Sequence, residues 1–186
     1  VCARNAALWQ KCRPWKRFPL KCHEASPTGT LVAGRSIALV GHPNVGKSVL
    51  FQLLTGQRVI VSNYPGTTVE IARGSVRNLP ETELVDTPGV ITFPPLSDDE
   101  RVTAQVLLEE PLRAILQVGD AKNLRRTLLL TVQLAEMGIP FVLALNMMDE
   151  AQARGVIVNH ARLVERLGLP VVPTTAIRGE GLEELT

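Results

Sequence analysis

An α/β fold, with a mostly parallel six-stranded sheet covered by helices on both faces, is predicted for residues 36–186 by three observations. Short apolar runs alternate with stretches of helical periodicity. A glycine-rich stretch sits between the first such run and the first helical one. The polar motifs fall just beyond the C-terminal ends of strand candidates, where open α/β sheets bind ligands. Strands are expected at residues 36–40, 69–77, 82–86, 113–118, 140–145 and 169–173. Helices are expected at 47–55, 98–109, 123–137 and 159–167, with another beginning near Gly181. The link "LPET" suits a hairpin, so one strand should run antiparallel. The remaining connections need right-handed crossovers.

The glycine-rich stretch is "GHPNVGKS", Gly41 to Ser48, which has the G-x-x-x-x-G-K-S spacing of a phosphate-binding loop. Gly41 and Gly46 allow the backbone N–H groups of the intervening His42, Pro43, Asn44 and Val45 region to turn toward phosphate oxygens, apart from the proline, which has none. The helix N-terminus adds partial positive charge. Lys47 is expected to reach the β- and γ-phosphates and Ser48 to hold Mg²⁺. A glycine-rich turn before an ordinary helix is the plainer alternative; the strand before it and the helix after it favour the phosphate loop.

The base is read from two later motifs. "NMMD", Asn146 to Asp149, follows the buried-strand run "PFVLAL". A carboxylate at Asp149 can accept from guanine N1–H and the 2-amino group, donors that adenine does not offer there. Sites built around such bonds reject analogues lacking them by about 10⁴. Asn146 would brace the phosphate loop and Met147 would cover one face of the base. "PTTAIRG" places Thr175 and Ala176 in a loop whose Ala176 N–H would meet guanine O6. Together these motifs predict GTP and GDP as ligands rather than ATP, in a P-loop NTPase of the Ras-like G-domain type.

Two segments are candidate switches, ordered by γ-phosphate and Mg²⁺ and released afterwards. In "DTPG", Asp86 can hold Mg²⁺ through water, Thr87 and Pro88 are expected among the nucleotide-binding residues, and the Gly89 N–H can reach the γ-phosphate. In "SNYPGTTVE", Gly66, Thr67 and Thr68 are expected to bind the nucleotide, and the Thr68 hydroxyl would complete the Mg²⁺ shell. Neighbouring Thr67 could take that role instead. The predicted catalytic set is Lys47, Thr68, Gly89 and Asn44; the metal set is Ser48, Thr68 and Asp86. The position after D-x-x-G, where Ras-like enzymes use a glutamine to orient water, is Val90, which can neither donate nor accept.

Charge is unevenly placed. Residues 1–36 carry +6 and residues 37–186 carry −4, for a net +2. The basic segment, delimited as an arm over residues 1–35, contains Cys2, Cys12, Cys22 and His23, four potential metal ligands but no C-x₂-C pair. A basic arm without metal is the competing reading. There is no apolar run of 18 residues and no apolar signal-peptide core.

From residue 36 onward the chain resembles the cytosolic GTPase domain of the FeoB ferrous-iron transporters. The resemblance rests on "GHPNVGKSVLFQLLTG", "VSNYPGTTVEIARG", "VDTPG", the long stretch from "LLEEPLRAILQVGDAKN" to "ALNMMDEA", and "GLPVVPTTA". Thr87, Tyr64 and Thr67 depart from the residues usual in that family, commonly Leu, Trp and Val. The resemblance implies a GTPase at the cytoplasmic face of a bacterial inner-membrane-type cell membrane, a membrane transporter domain as partner, and Fe²⁺ as the indirect cargo, with no specific nucleic acid. Against that family the chain stops where the last G-domain helix should begin. It also implies K⁺ stimulation of slow hydrolysis: Asn44 matches the asparagine that supplies a K⁺ ligand in similar GTPases, with carbonyls from the Ser62–Gly66 loop around the ion. Asn44 could instead cap its own loop. The rival reading is a soluble TrmE-, Era- or Der-type GTPase acting on RNA or ribosomes, which also carries "PNVGKS", "PGTT" and "DTPG". Those proteins continue "PGTT" with Arg-Asp, where this chain has Val69-Glu70. A non-hydrolysing switch or metal-sensing module is the third reading.

Overall fold

The structure is a computed structural model that describes residues 35–186. Its centre is a seven-stranded sheet. In chain order the strands are β1 (Ser36–Gly41), β2 (Thr55–Asn63), β3 (Glu70–Val76), β4 (Leu79–Asp86), β5 (Leu112–Asp120), β6 (Phe141–Asn146) and β7 (Val171–Pro173). They lie side by side as β2-β3-β4-β1-β5-β6-β7. Only β3 runs against its neighbours, and every other pairing is parallel. The helices are α1 (Lys47–Leu54), α2 (Asp98–Glu109), α3 (Leu124–Glu136), α4 (Met148–Ala153), α5 (His160–Leu167) and α6 (Leu182–Leu185).

The core follows from the two-residue period of β1. Ala38 and Val40 face one side, with Ile115, Val102 and Val106 of α2 and Leu130 and Leu134 of α3. Ile37 and Leu39 face the other, with Leu116, Val118, Leu50, Phe51 and Leu54 of α1 and Leu185 of α6. Helices therefore cover both faces of a sheet whose central strands are buried. This is why β1, β5 and β6 read as continuous apolar runs.

The single antiparallel strand is where the hairpin reading put it. The turn itself is Arg77–Asn78, because Leu79 and Pro80 already belong to β4. The expected strand count was one short. From sequence, residue 55 falls in the first helix, 62–63 in a switch segment and 56–61 in no element, whereas residues 55–63 form the edge strand β2. Thr55 ends α1 by bonding its hydroxyl back to the Phe51 carbonyl at 2.6 Å and then turns extended. Beyond it, Val59, Ile60 and Val61 are all exposed on the sheet edge, so the alternation that marks a half-buried strand is missing. Helix α4 was also unforeseen.

Candidate functional site

The phosphate loop is shaped by close approaches that only glycine permits. Gly46 has φ of 91°, and a Cβ there would lie 2.4 Å from Asn146 Nδ2. A Cβ on Gly41 would lie 2.3 Å from the Val118 carbonyl oxygen. Asn146, at the end of β6, donates through Nδ2 to the Val45 carbonyl at 2.9 Å. The base motif thus braces the phosphate loop from 101 residues away in sequence. Val45 itself packs into the core. His42 is buried, while Pro43 is exposed and lies against Gly89. Asn44 is exposed at φ of 62°, and its amide has no hydrogen bond among the described residues, so it does not cap the loop.

Lys47, Ser48, Asp86, Thr87, Pro88 and Gly89 line an open cleft of about 310 Å³ together with Val61 and Glu70–Ala72. Burial pushes the buried Lys47 ammonium below its ordinary value, opposed by the negative charge of Asp86. Burial pushes the Asp86 carboxyl up, opposed by the Lys47 charge and by the Ser48 hydroxyl. Ser48 Oγ donates to Asp86 Oδ2 at 3.1 Å, and Asp86 Oδ1 is buried with no partner among the described residues. A hard divalent cation takes such a donor set: a hydroxyl and a carboxylate, one oxygen of which is unpaired. Thr68, the third predicted metal ligand, lies on an exposed loop outside the residues lining this cleft.

The two threonines of that loop are distinguished. Thr67 Oγ1 donates to the Tyr64 carbonyl at 3.0 Å and accepts from Val69 N–H at 3.2 Å, closing the turn at Gly66. The Thr68 hydroxyl is unpaired among the described residues. Ser62 and Asn63, expected to offer loop carbonyls to K⁺, belong to β2 and pair with Ile71 and Glu70. The Tyr64 carbonyl accepts from both Thr67 N–H and Thr67 Oγ1.

The segment after Asp86 is held by backbone bonds. Thr87 is buried and donates Oγ1 to the Leu39 carbonyl at 2.8 Å, so its hydroxyl anchors β4 to β1 rather than facing a ligand. Val90 N–H donates to the Gly41 carbonyl at 3.0 Å, and the Val90 side chain lies in the core. It cannot orient a water. The Gly89 N–H has no partner among the described residues. Burial pushes the His42 imidazole below its ordinary value, helped by the Arg126 and Lys47 charges and opposed by a bond to the Ile91 backbone.

On the base side, Met147 is left-handed at φ of 62° and starts α4, placing the largely buried Asp149 in its first turn. Met148 N–H bonds the Thr174 carbonyl, and Thr175 is buried, its N–H on the Glu180 carbonyl. The Ala176 N–H donates to Asn146 Oδ1 at 3.0 Å and Thr174 Oγ1 donates to the same oxygen at 3.3 Å, so the loop after β7 is tied to the end of β6. Residues missed from the sequence include Glu70 in the cleft, Arg178, whose guanidinium lies 3.7 Å from Asp149, and the Lys122–Glu150 pair. Their sequence separations, such as 28 residues for Lys122 and Glu150, leave no local signal.

The fold and site define a phosphate-loop G domain. The chain belongs to the Ferrous iron transport protein B family, whose profile matches residues 35–186. It is 41% identical over 164 residues to a Porphyromonas gingivalis Fe(2+) transport protein A/Fe(2+) transporter FeoB fusion protein, covering 87% of this chain and 19% of that one. It is 41% identical over 155 residues to the Salmonella typhimurium Fe(2+) transporter FeoB, covering 81% and 20%. The chain thus spans about a fifth of the length of these relatives. Among solved structures, an S. thermophilus NFeoB mutant bound to mGDP superposes with a TM-score of 0.78 at 42% identity, covering 82% of this chain and 58% of that one. The G domain of T. maritima FeoB gives 0.74 at 37% identity, covering 81% and 92%. The RNA-associated GTPase reading is not favoured by these relatives. The cysteine and histidine arm, Cys2, Cys12, Cys22 and His23, lies outside the described residues. Among the described residues no helix is long and apolar enough to cross a membrane, and no cluster of three or more His, Cys, Asp or Glu side chains could hold a metal.

Proposed function

We propose that this domain binds GTP and GDP, hydrolyses GTP, and couples that cycle to Fe²⁺ uptake by a membrane transporter domain, working at the cytoplasmic face of the membrane. The observation that carries the nucleotide reading is the Asn146 brace, which joins the phosphate loop to the base motif through Val45 at 2.9 Å and through Ala176. The coupling to iron is supported by the names of relatives that are Fe(2+) transporters and by this chain's 41% identity to them.

The residues divide the work. The phosphate-loop amides and Lys47 hold the β- and γ-phosphates, Asp149 takes the guanine edge, and Gly89 offers its N–H to the γ-phosphate. Ser48 and Asp86 would hold Mg²⁺, with Thr68 joining them when its loop closes. When bound, Mg²⁺ neutralises charge on the phosphate oxygens. Hydrolysis transfers the γ-phosphoryl group to water, giving GDP and phosphate. Val90 leaves that water without a side-chain orienter, so the intrinsic rate is expected to be slow. The Asn44 amide, unpaired among the described residues, supports K⁺ stimulation, with the Ser62–Gly66 loop supplying carbonyls around the ion. Turnover measured in K⁺ and in Na⁺ checks this. Faster hydrolysis in K⁺, lost in Asn44→Ala with nucleotide binding retained, is the expected result; equal rates in both salts would return the search to an arginine supplied by a partner.

A further inference from the structure

We infer that Lys122 is a positioning residue for guanine, strapping α4 so that Asp149 meets the edge of the base; the inference rests on the guanine-nucleotide reading above. Helix α4 has six residues, and its N-cap, Met147, gives no side-chain cap. So short a helix has no stability of its own, and its first turn must be held by tertiary contacts. Lys122 supplies one. Its ammonium lies 2.7 Å from Glu150 Oε2, on the residue next to Asp149.

The strap is fixed at its other end. Lys122 sits in a 3₁₀ turn, Ala121–Asn123, at the end of β5, and its backbone N–H donates to Asp120 Oδ1 at 2.8 Å. Asp120 Oδ2 lies 4.0 Å from the Lys122 ammonium. Asp120 is also the register partner of Asn146 across β5 and β6. The anchor and the base motif therefore leave the sheet at the same level, on adjacent strands. Ala121 and Ala151 are fully buried in one core cluster, bringing the turn and α4 together. The Lys122 side chain is 15% exposed and its Glu150 partner 45%, so the ammonium is held inside while solvent screens the outer end of the pair.

The strap also separates two neighbouring carboxylates. Lys122 takes Glu150, and Asp149, 14% exposed, is left facing the base side with Arg178 at 3.7 Å as its only ion-pair partner among the described residues. Without Lys122, Glu150 loses its partner and the first turn of α4 loses a tether. Asp149 then loses definition, and with it the discrimination that depends on the guanine 2-amino group. Loss of one contact in such a network shifts a remote equilibrium by about tenfold.

The test compares GDP with inosine diphosphate, which lacks the 2-amino group, in calorimetric titrations of the whole chain. The variants are Lys122→Met, Lys122→Arg, Glu150→Gln and the charge swap Lys122→Glu with Glu150→Lys. Lys122→Met and Glu150→Gln should weaken GDP by about tenfold and inosine diphosphate by less, narrowing the ratio between them. Lys122→Arg and the charge swap should restore the ratio. If Lys122→Met proves unfolded, Glu150→Gln and the swap make the same comparison. An unchanged ratio in the single variants, or an equal loss for both nucleotides, overturns the positioning role. If the unaltered chain fails to bind GDP, the functional reading falls and the inference with it, and that result is visible before any variant is made.

Discussion

At the scale of single residues, the site is defined by what each polar atom is already doing. Thr67 and Thr68 are adjacent and chemically identical, and "PGTTVE" does not say which one serves the nucleotide. The structure separates them: Thr67 is spent on the Tyr64 carbonyl and Val69 N–H, while Thr68 is exposed and unpaired among the described residues. Thr67→Ala should therefore lower stability by about 1 kcal/mol, the worth of an ordinary hydrogen bond. Thr68→Ala should leave the melting temperature unchanged and slow GTP turnover at least about tenfold, with GDP affinity preserved. Denaturant unfolding beside single-turnover kinetics checks both, and the reverse pattern would exchange their roles. The same logic explains what the sequence hides at this scale. Gly46 was legible as a phosphate-loop glycine from its spacing. That the Ala176 N–H is taken by Asn146 Oδ1 depends on a side chain 30 residues away, and no local pattern carries it.

At the scale of elements, the clearest device is the clasp between α2 and the segment after "DTPG". Ser97 caps α2 and Glu100 returns to it in a capping box. The buried Glu100 carboxylate also accepts from Ile91 N–H and Leu96 N–H, both at 2.8 Å. Those bonds, led by Leu96 and Ile91, hold its carboxyl below the ordinary 4.5. A lowered folded value means that this contribution is present above pH 4.5 and is lost as the pH falls through the folded value. Glu100→Gln should cost about 1–3 kcal/mol at pH 7. The gap to the unaltered chain should close as the pH is taken well below 4.5. Unfolding curves at both pH values measure it; a gap independent of pH would mean that the carboxylate charge plays no part. Elements with strong periodicity, such as α2 and α3, were legible because their apolar stripes meet the sheet. Strand β2 was not, because its exposed edge removes the alternation on which such a reading depends, and α4 is too short to show a period.

At the scale of the molecule, a parallel sheet with one reversed strand brings the ends of β1, β4 and β6 and the loop after β7 to one edge. Four motifs spread over some 140 residues thereby become a single site, and this was legible because each motif follows a buried apolar run. The placement of the switch segment was less so: Ser62 and Asn63 are drawn into β2, a pairing set by β3 rather than by their own sequence. The central claim is that this edge selects guanine nucleotides through Asp149. Titration of the chain with GDP, ADP and xanthosine diphosphate, in unaltered and Asp149→Asn forms, tests it most directly. Asp149→Asn turns an acceptor into a group that can donate to the xanthine C2 oxygen. The account predicts tight GDP binding, about 10⁴-fold weaker ADP binding, and a preference in the variant that moves from GDP to xanthosine diphosphate. Equal affinities for GDP and ADP, or a variant whose preference stays with GDP, would contradict it.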